Sequence, residues 1–464
     1  MARRPSPPAA APAAQPAMVS AVDPVPKGGP SFGQPVPTPD PGVFRTPHPS
    51  DNGVYKIIDG LQKLGEIKPL AFPASRGGTE PVLTLDQVLG GTNTSATITA
   101  NGQMAFHSVG DTGNVSKPTP QSEVADKMTS DFDGEAAAAV PQFLFHLGDQ
   151  VYNFSESQYW YDQFYEPYRD YPAPILAVAG NHEGNVIPNT TAMSLANYLA
   201  NFCATGFETT PEAGGLDRTA QIQPGVYFTF DAPFIRILAL YSGSLEDPGI
   251  ISSQGGTAPT LSDVQLDFLR AALTRIKTEK YAGAVVIVTH HPPFTTPAVH
   301  SGSPMMLADI DAICAATGVW PHAHLSAHVH NYQRFTRTVD GRQIPYIIAG
   351  NGGHGIQKLA VKGSTIRTPV SVAGQPAGQT LVFESYDDVN YGYLRLLVTP
   401  AQLRIEYHPA SDGSSTKTPD DSVTIDLASG TLVHYEPAPV EGAPAAPVKH
   451  HAPKHGKGKG KGRR

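Results

Sequence analysis

A chain of 464 residues can hold one large domain or roughly two to three ordinary ones. Its net charge of −8 hides an asymmetry, because Lys449 to Arg464 carries seven of the 33 Lys and Arg residues and no acid, leaving 26 basic against 41 acidic residues elsewhere. A body this acidic argues against a nucleic-acid binder. No stretch reaches the roughly 18 apolar residues of a membrane span. Cys203 and Cys314 cannot build a disulfide framework; two free buried thiols and one bridge both stay open.

Residues 1–50 hold fourteen of the 45 prolines, so the composition predicts a disordered Pro/Ala-rich tail that cannot bury enough surface to offset its ordering entropy. Arg3 and Arg4 suggest a twin-arginine signal, but PSPPAAAPAAQPA follows them without a hydrophobic core region. No recognisable signal peptide is read, which makes the cytoplasm the default compartment and leaves the periplasm and secretion open. Residues 51–100 read as an N-terminal extension packed on the domain. Short apolar runs then predict strands at 104–109, 143–147, 175–179, 226–230, 235–240, 284–289, 324–327 and 346–349, as expected of strands buried on both faces. The best helix is 263–277, with Ser262 as its N-cap, Gln265 as the capping-box partner and Leu261 with Leu266 as a hydrophobic staple. Leu266, Leu269, Leu273 and Ile276 form its apolar stripe. Beyond Tyr391, YGYLRLLV, LRIEYH and SVTIDL alternate as strands. Residues 431–464 are a second predicted tail, Pro/Ala-rich and then basic with Gly and Lys.

Five short motifs sit at the ends of strand-like runs: GDTG (110–113), GDQVY (148–152), GNHE (180–183), THH ending at His290 and His291, and AHVH (327–330). Asp, Asn, Tyr and His are the donors that hold paired hard or borderline cations, and such a pair can clamp a phosphoryl group. Any one motif is an ordinary strand end. All five in order are far more specific.

The ordered set resembles the calcineurin-like metallophosphoesterases, and within them the purple acid phosphatase-like branch, whose pattern is GDxG, GDxxY, GNH[D/E], VxxH and GHxH. The resemblance implies a layered α+β fold, a four-layer αββα sandwich forming one catalytic domain over 101–430. Gly113 stands where most of the superfamily has a first-motif histidine, and Tyr152 can fill that vacancy with a hard phenolate donor. Ile287 and Ala327 depart from the Val and Gly of the pattern. Carried over motif by motif, the resemblance puts Asp111, Tyr152 and His330 on one metal and Asn181, His290 and His328 on another. Asp149 bridges them, one ion on each oxygen. Fe(III) with a divalent Fe, Zn or Mn ion is the implied pair, with a Mn or Zn pair as the alternative.

Adjacent strand residues point to opposite faces, so only one of His290 and His291 is expected to ligate. The pattern selects His290, leaving His291 beside the ligands or in the pocket wall. His182 is free to protonate a leaving group, and His300, ten residues past His290, is a second candidate on the substrate side. Glu183 is expected to orient a neighbouring histidine. His107 and His146, inside strand runs, read as core histidines, and Asn351 to His354 as either the family's glycine-rich turn or a plain one. The implied activity is hydrolysis of small phosphomonoesters by a metal-bound hydroxide. A phosphodiesterase or nucleotide pyrophosphatase on the same metals is the alternative, and a non-catalytic phosphate-binding protein the third reading. Oligomeric state is not legible.

Overall fold

The computed structural model describes residues 29–33, 52–187, 191–296, 300–359 and 366–435. Two sheets form its centre. The larger has nine strands in the spatial order Val82–Thr84, Phe228–Ala232, Ile235–Ala239, Ala284–Val288, Ala323–Ser326, Arg342–Ala349, Tyr332–Val339, Thr380–Asp387 and Val370–Ser371. The smaller has seven, in the order Thr431–Leu432, Asp421–Asp426, Gln402–Pro409, Gly392–Val398, Met104–Val109, Pro141–His146 and Ile175–Ala177.

Alternation along the strands explains why the sheets stack. Phe143 and Phe145 project into a core shared with Phe228 and Phe230 of the other sheet, with the Phe143 and Phe230 ring centroids 5.0 Å apart. Leu144 between them faces outward, into a second core with Val124 and Met128 of the helix Thr119–Ser130. On the larger sheet Ile237 and Ala239 point inward while Leu238 points outward, to the core that holds Phe268, Leu269 and Leu273 of the helix Val264–Glu279. Each fully buried Phe or Leu contributes about 1.5–3 kcal/mol, so a one-residue slip of any strand would be costly. The result is the layered α/β arrangement expected, helices outside two face-to-face sheets.

Several local expectations are corrected. The helix 264–279 is capped by Asp263, not Ser262, and no side chain closes a capping box. Asp263 Oδ1 instead accepts the Ser253 amide at 2.8 Å, while the Gln265 carboxamide is buried and pairs with the Tyr241 N–H (2.8 Å) and C=O (2.8 Å). Leu261 packs with Ile250 and Ala258, so no staple to Leu266 forms. Within the expected N-terminal tail, residues 29–33 are anchored: Phe32 bridges to Arg218, and Ser31 C=O accepts the Thr219 amide at 2.9 Å. The other residues of that segment lie outside the described ones. At the other end Leu432 pairs with Ile425 and the described residues extend past 430, to 435; the rest of that segment lies outside them. Cys203 and Cys314 are both free and buried. Among the described residues no helix is long and apolar enough to cross a membrane.

Candidate metal centre

Parallel strands bring their C-terminal ends to one edge, and the motifs sit there. Strands 104–109, 141–146 and 175–177 run parallel in the smaller sheet and lead into Asp111, Asp149 and Asn181. Strands 284–288 and 323–326 run parallel in the larger and lead into His290 and His328. The two edges are tied together where the His328 amide donates to Asp111 Oδ2 at 2.7 Å. Asp111, Asp149 and His328 adopt left-handed backbone, with φ of 53°, 56° and 68°. Such positions cost about 1–3 kcal/mol each and gather at functional sites.

The donor atoms fall into two sets. Tyr152 Oη lies 3.2 Å from both Asp111 Oδ1 and Asp149 Oδ2, and His330 Nε2 lies 3.6 Å from Asp111 Oδ1. In the other set, Asn181 Oδ1 lies 2.9 Å from His290 Nε2 and 3.0 Å from His328 Nδ1, and His290 Nε2 is 3.3 Å from Asp149 Oδ2. Asp149 Oδ2 therefore faces both sets. Asp149 Oδ1 also accepts the His182 amide, at 3.1 Å.

Hydrogen bonds on the far side of the rings fix which nitrogen faces inward. His290 Nδ1–H donates to Leu147 C=O (2.8 Å) and His330 Nδ1–H to Gly355 C=O (3.0 Å), turning each Nε2 to the cluster. Gly148 makes the first of these contacts possible, since a Cβ there would lie 2.4 Å from His290 Nδ1. At Gly113 a side chain would meet Gln150 C=O at 2.4 Å and the Tyr152 ring at 3.0 Å. Gln163 Oε1, at 2.5 Å, closes the same space, so the turn itself excludes a side chain where the histidine would stand.

These residues fit cations. Asp111 and Asp149 are buried, and among the described residues their ion pairs are all with histidines. Burial raises the Asp111 carboxyl well above the usual range. Burial also works to raise Asp149, but His290 and His182 hold it well below. Burial works to lower His290, yet Asp149 and Asp111 raise it to about 10. Buried negative charge of this kind is stabilised only by a counter-charge, and carboxylate, imidazole, carboxamide and phenol together suit Zn, Mn or Fe.

The remaining candidates have distinct surroundings. His182 Nδ1–H donates to Asn153 C=O at 2.7 Å, leaving Nε2 3.8 Å from Asp149 Oδ2. His300 Nδ1 pairs with Asp247 Oδ2 at 3.0 Å, and its ring lies 4.1 Å from that of His328. His291 uses both nitrogens, on Ser242 Oγ (3.0 Å) and Glu246 C=O (2.8 Å), and packs its ring 4.1 Å from His328. Glu183 does not orient a histidine: its carboxylate accepts the amides of Asp149 (3.0 Å), Gln150 (3.0 Å), Val151 (3.2 Å) and Gly180 (2.8 Å). It shapes the turn that presents Asp149. His107 and His146 are core histidines, bound to Tyr171 with Asp131 and to Thr112 with Gln150.

Three nearby residues, Asp247, Glu246 and Tyr55, were not read from the sequence as part of the centre, and a fourth, His354, was read only within a turn that could be either the family's or a plain one. Asp247 Oδ1 lies 3.4 Å from His328 Nε2, and Glu246 Oε2 accepts the Asn181 amide at 2.7 Å. Tyr55 stacks on His182 at 4.2 Å, and His354 stacks on Tyr152 at 3.7 Å. Glu246 and Asp247 follow the apolar strand 235–239 on the same sheet edge, a placement that could have flagged them. Tyr55, Ile58 and Gln62 fall on one face of a helix, where the polar Gln62 was the available signal.

Residues 107–332 match the family model for calcineurin-like phosphoesterases. The match supports the metallophosphoesterase superfamily and encloses the five motifs from Asp111 to His330. Among curated protein sequences no relative matches. Solved structures with some likeness include GAP50, described as the anchor in the inner membrane complex of Plasmodium (12% identity, TM-score 0.42, covering 70% of this chain and 89% of that one). PhoD is another (14%, 0.43, 74% and 73%), as is a predicted phosphoesterase from Streptococcus pneumoniae (9%, 0.27, 70% and 98%). At these TM-scores the likenesses bear no weight here.

Proposed function

We propose that the chain hydrolyses small phosphomonoesters at a two-metal centre. The observation that carries this reading is the convergence of seven donor side chains in two sets that share Asp149 Oδ2. Asp111, Tyr152 and His330 would hold one ion, Asn181, His290 and His328 the other, with Asp149 between them. Such ions supply Lewis acidity and a nucleophilic water near neutral pH. In the purple acid phosphatase-like branch that the motifs resemble, the ion beside the tyrosine is Fe(III), and the same pairing is proposed here.

The chain's own residues have separate tasks. Asp149 and Asp111 would balance the charge of the cations, and Asn181 would help to place one of them. His182 lies beside Asp149 and His300 beside His328, each with one nitrogen held by the protein, so each can present the other to a phosphoryl oxygen or a leaving group. Asp247 supports His300 as the protonated donor. The metal-reconstituted protein should cleave generic aryl phosphate monoesters, and Asp149→Ala should not. Faster cleavage of diesters than of monoesters would favour the phosphodiesterase reading, and no cleavage of either by a fully metallated protein would favour phosphate binding alone.

A further inference from the structure

The helix Asn52–Lys63 lies outside the residues matched by the family model, yet its inner face reaches the metal centre. Tyr55 is 6% exposed and Gln62 8%, and both join a buried polar network with Asn181, Asn185 and Glu246. The Asn181 Nδ2 group donates to both Tyr55 Oη (2.8 Å) and Glu246 Oε2 (2.7 Å). Tyr55 Oη in turn donates to Glu246 Oε2 at 2.5 Å and accepts from Asn185 at 2.9 Å. Gln62 closes the ring, donating to Asn185 Oδ1 (2.8 Å) and accepting the Glu246 backbone amide (2.7 Å).

We infer that Tyr55 and Glu246 are positioning residues that hold the Asn181 carboxamide with its oxygen toward the metal carried by His290 and His328. A carboxamide offers a good metal ligand on one side and a repulsive pair of hydrogens on the other. Turned around, Asn181 would set its oxygen against the Glu246 carboxylate and its hydrogens against the imidazole nitrogens meant for the cation. Nδ2 faces two acceptors at once, so the correct orientation is fixed before metal arrives. Tyr55 adds a second constraint, because its ring lies nearly parallel to that of His182, 12° apart at 4.2 Å. The extension before the matched segment is thereby part of the centre and not only a covering layer.

The inference rests on the two-metal reading, and the test separates the two. Metal-stripped full-length protein is titrated with Zn(II) by equilibrium dialysis and elemental analysis, with circular dichroism as the control for folding. Tyr55→Phe keeps the ring on His182 and removes only the hydroxyl. It should weaken one of the two binding steps by about 10- to 100-fold while the other stays within roughly threefold. Glu246→Ala should do the same, whereas Glu246→Gln, which keeps an oxygen for Asn181, should bind within roughly threefold of wild type at both steps. Unchanged affinities in Tyr55→Phe, equal weakening of both steps, or a Glu246→Gln loss as large as that of Glu246→Ala would overturn the positioning role. If Tyr55→Phe does not fold, the two Glu246 variants decide. Fewer than two ions on the wild-type protein would instead refute the two-metal reading.

Discussion

Replacing Glu183 tests whether its carboxylate builds the turn under Asp149. The side chain is 2% exposed and accepts four backbone amides, two on each oxygen. Glu183→Ala strands all four N–H groups. A buried donor left without a partner costs about 1–3 kcal/mol. Water can enter the space vacated by the carboxylate, so the lower end applies, a total of about 4 kcal/mol. For a cooperative unit of roughly 400 residues, with an unfolding entropy of about 2 cal/mol/K per residue, this lowers Tm by about 5 °C. Glu183→Gln keeps an oxygen for Gln150 and Val151 but turns an amide group toward the Asp149 and Gly180 N–H groups, for roughly half the loss. Calorimetry on metal-stripped protein avoids the added stability that bound ions confer. A Glu183→Ala protein melting within about 1 °C of wild type would refute the reasoning.

His182→Ala should leave metal content unchanged and slow esters with poor leaving groups by about 10²- to 10⁴-fold. Equal slowing of aryl and alkyl esters would place its action elsewhere. Tyr152→Phe removes the hydroxyl that sits 3.2 Å from Asp111 and Asp149, so Fe(III)-loaded protein should lose a visible tyrosinate-to-iron band; a colourless wild-type protein holding oxidised iron would contradict that. His324 is pushed down to about 3 by burial, and its Nε2–H donates to Thr289 Oγ1 at 2.9 Å because that hydroxyl donates to His291 C=O. Above about pH 6.5 the group is neutral in both states; as pH falls from there, only the unfolded chain takes the proton, and stability drops by about 1.4 kcal/mol per pH unit down to the folded value. His324→Gln should flatten the pH dependence of the urea midpoint between about pH 4 and pH 6; an unchanged slope would show that His324 titrates normally.

The strand runs were legible because they are short, apolar and buried on both faces, and Met104–Val109 matches to the residue. Their ends were less so. The strand 342–349 begins four residues before the apolar run, since Arg342 and Gln343 pair with Val339 and Thr338 across a hairpin whose turn is Asp340 and Gly341. The five motifs named side chains that the structure brings together, because metal chemistry restricts residue type, but not that the His182 amide reaches Asp149 Oδ1. Glu183 was misjudged for a similar reason: its partners are backbone amides, which leave no mark in a sequence. Tyr55 and Glu246 meet Asn181 from positions 126 and 65 residues away. No local pattern encodes that meeting. The N-cap lies one residue after the expected Ser262, at Asp263, whose carboxylate accepts the Ser253 amide in place of the helix's own N–H groups.

The account stands on Asp149 joining two ions, and metal content after dialysis tests it most directly. Wild-type protein should retain close to two ions per chain by elemental analysis, and Asp149→Ala, still folded by circular dichroism, should release both. Two tightly held ions in Asp149→Ala would contradict the shared carboxylate and, with it, the two-metal centre drawn here.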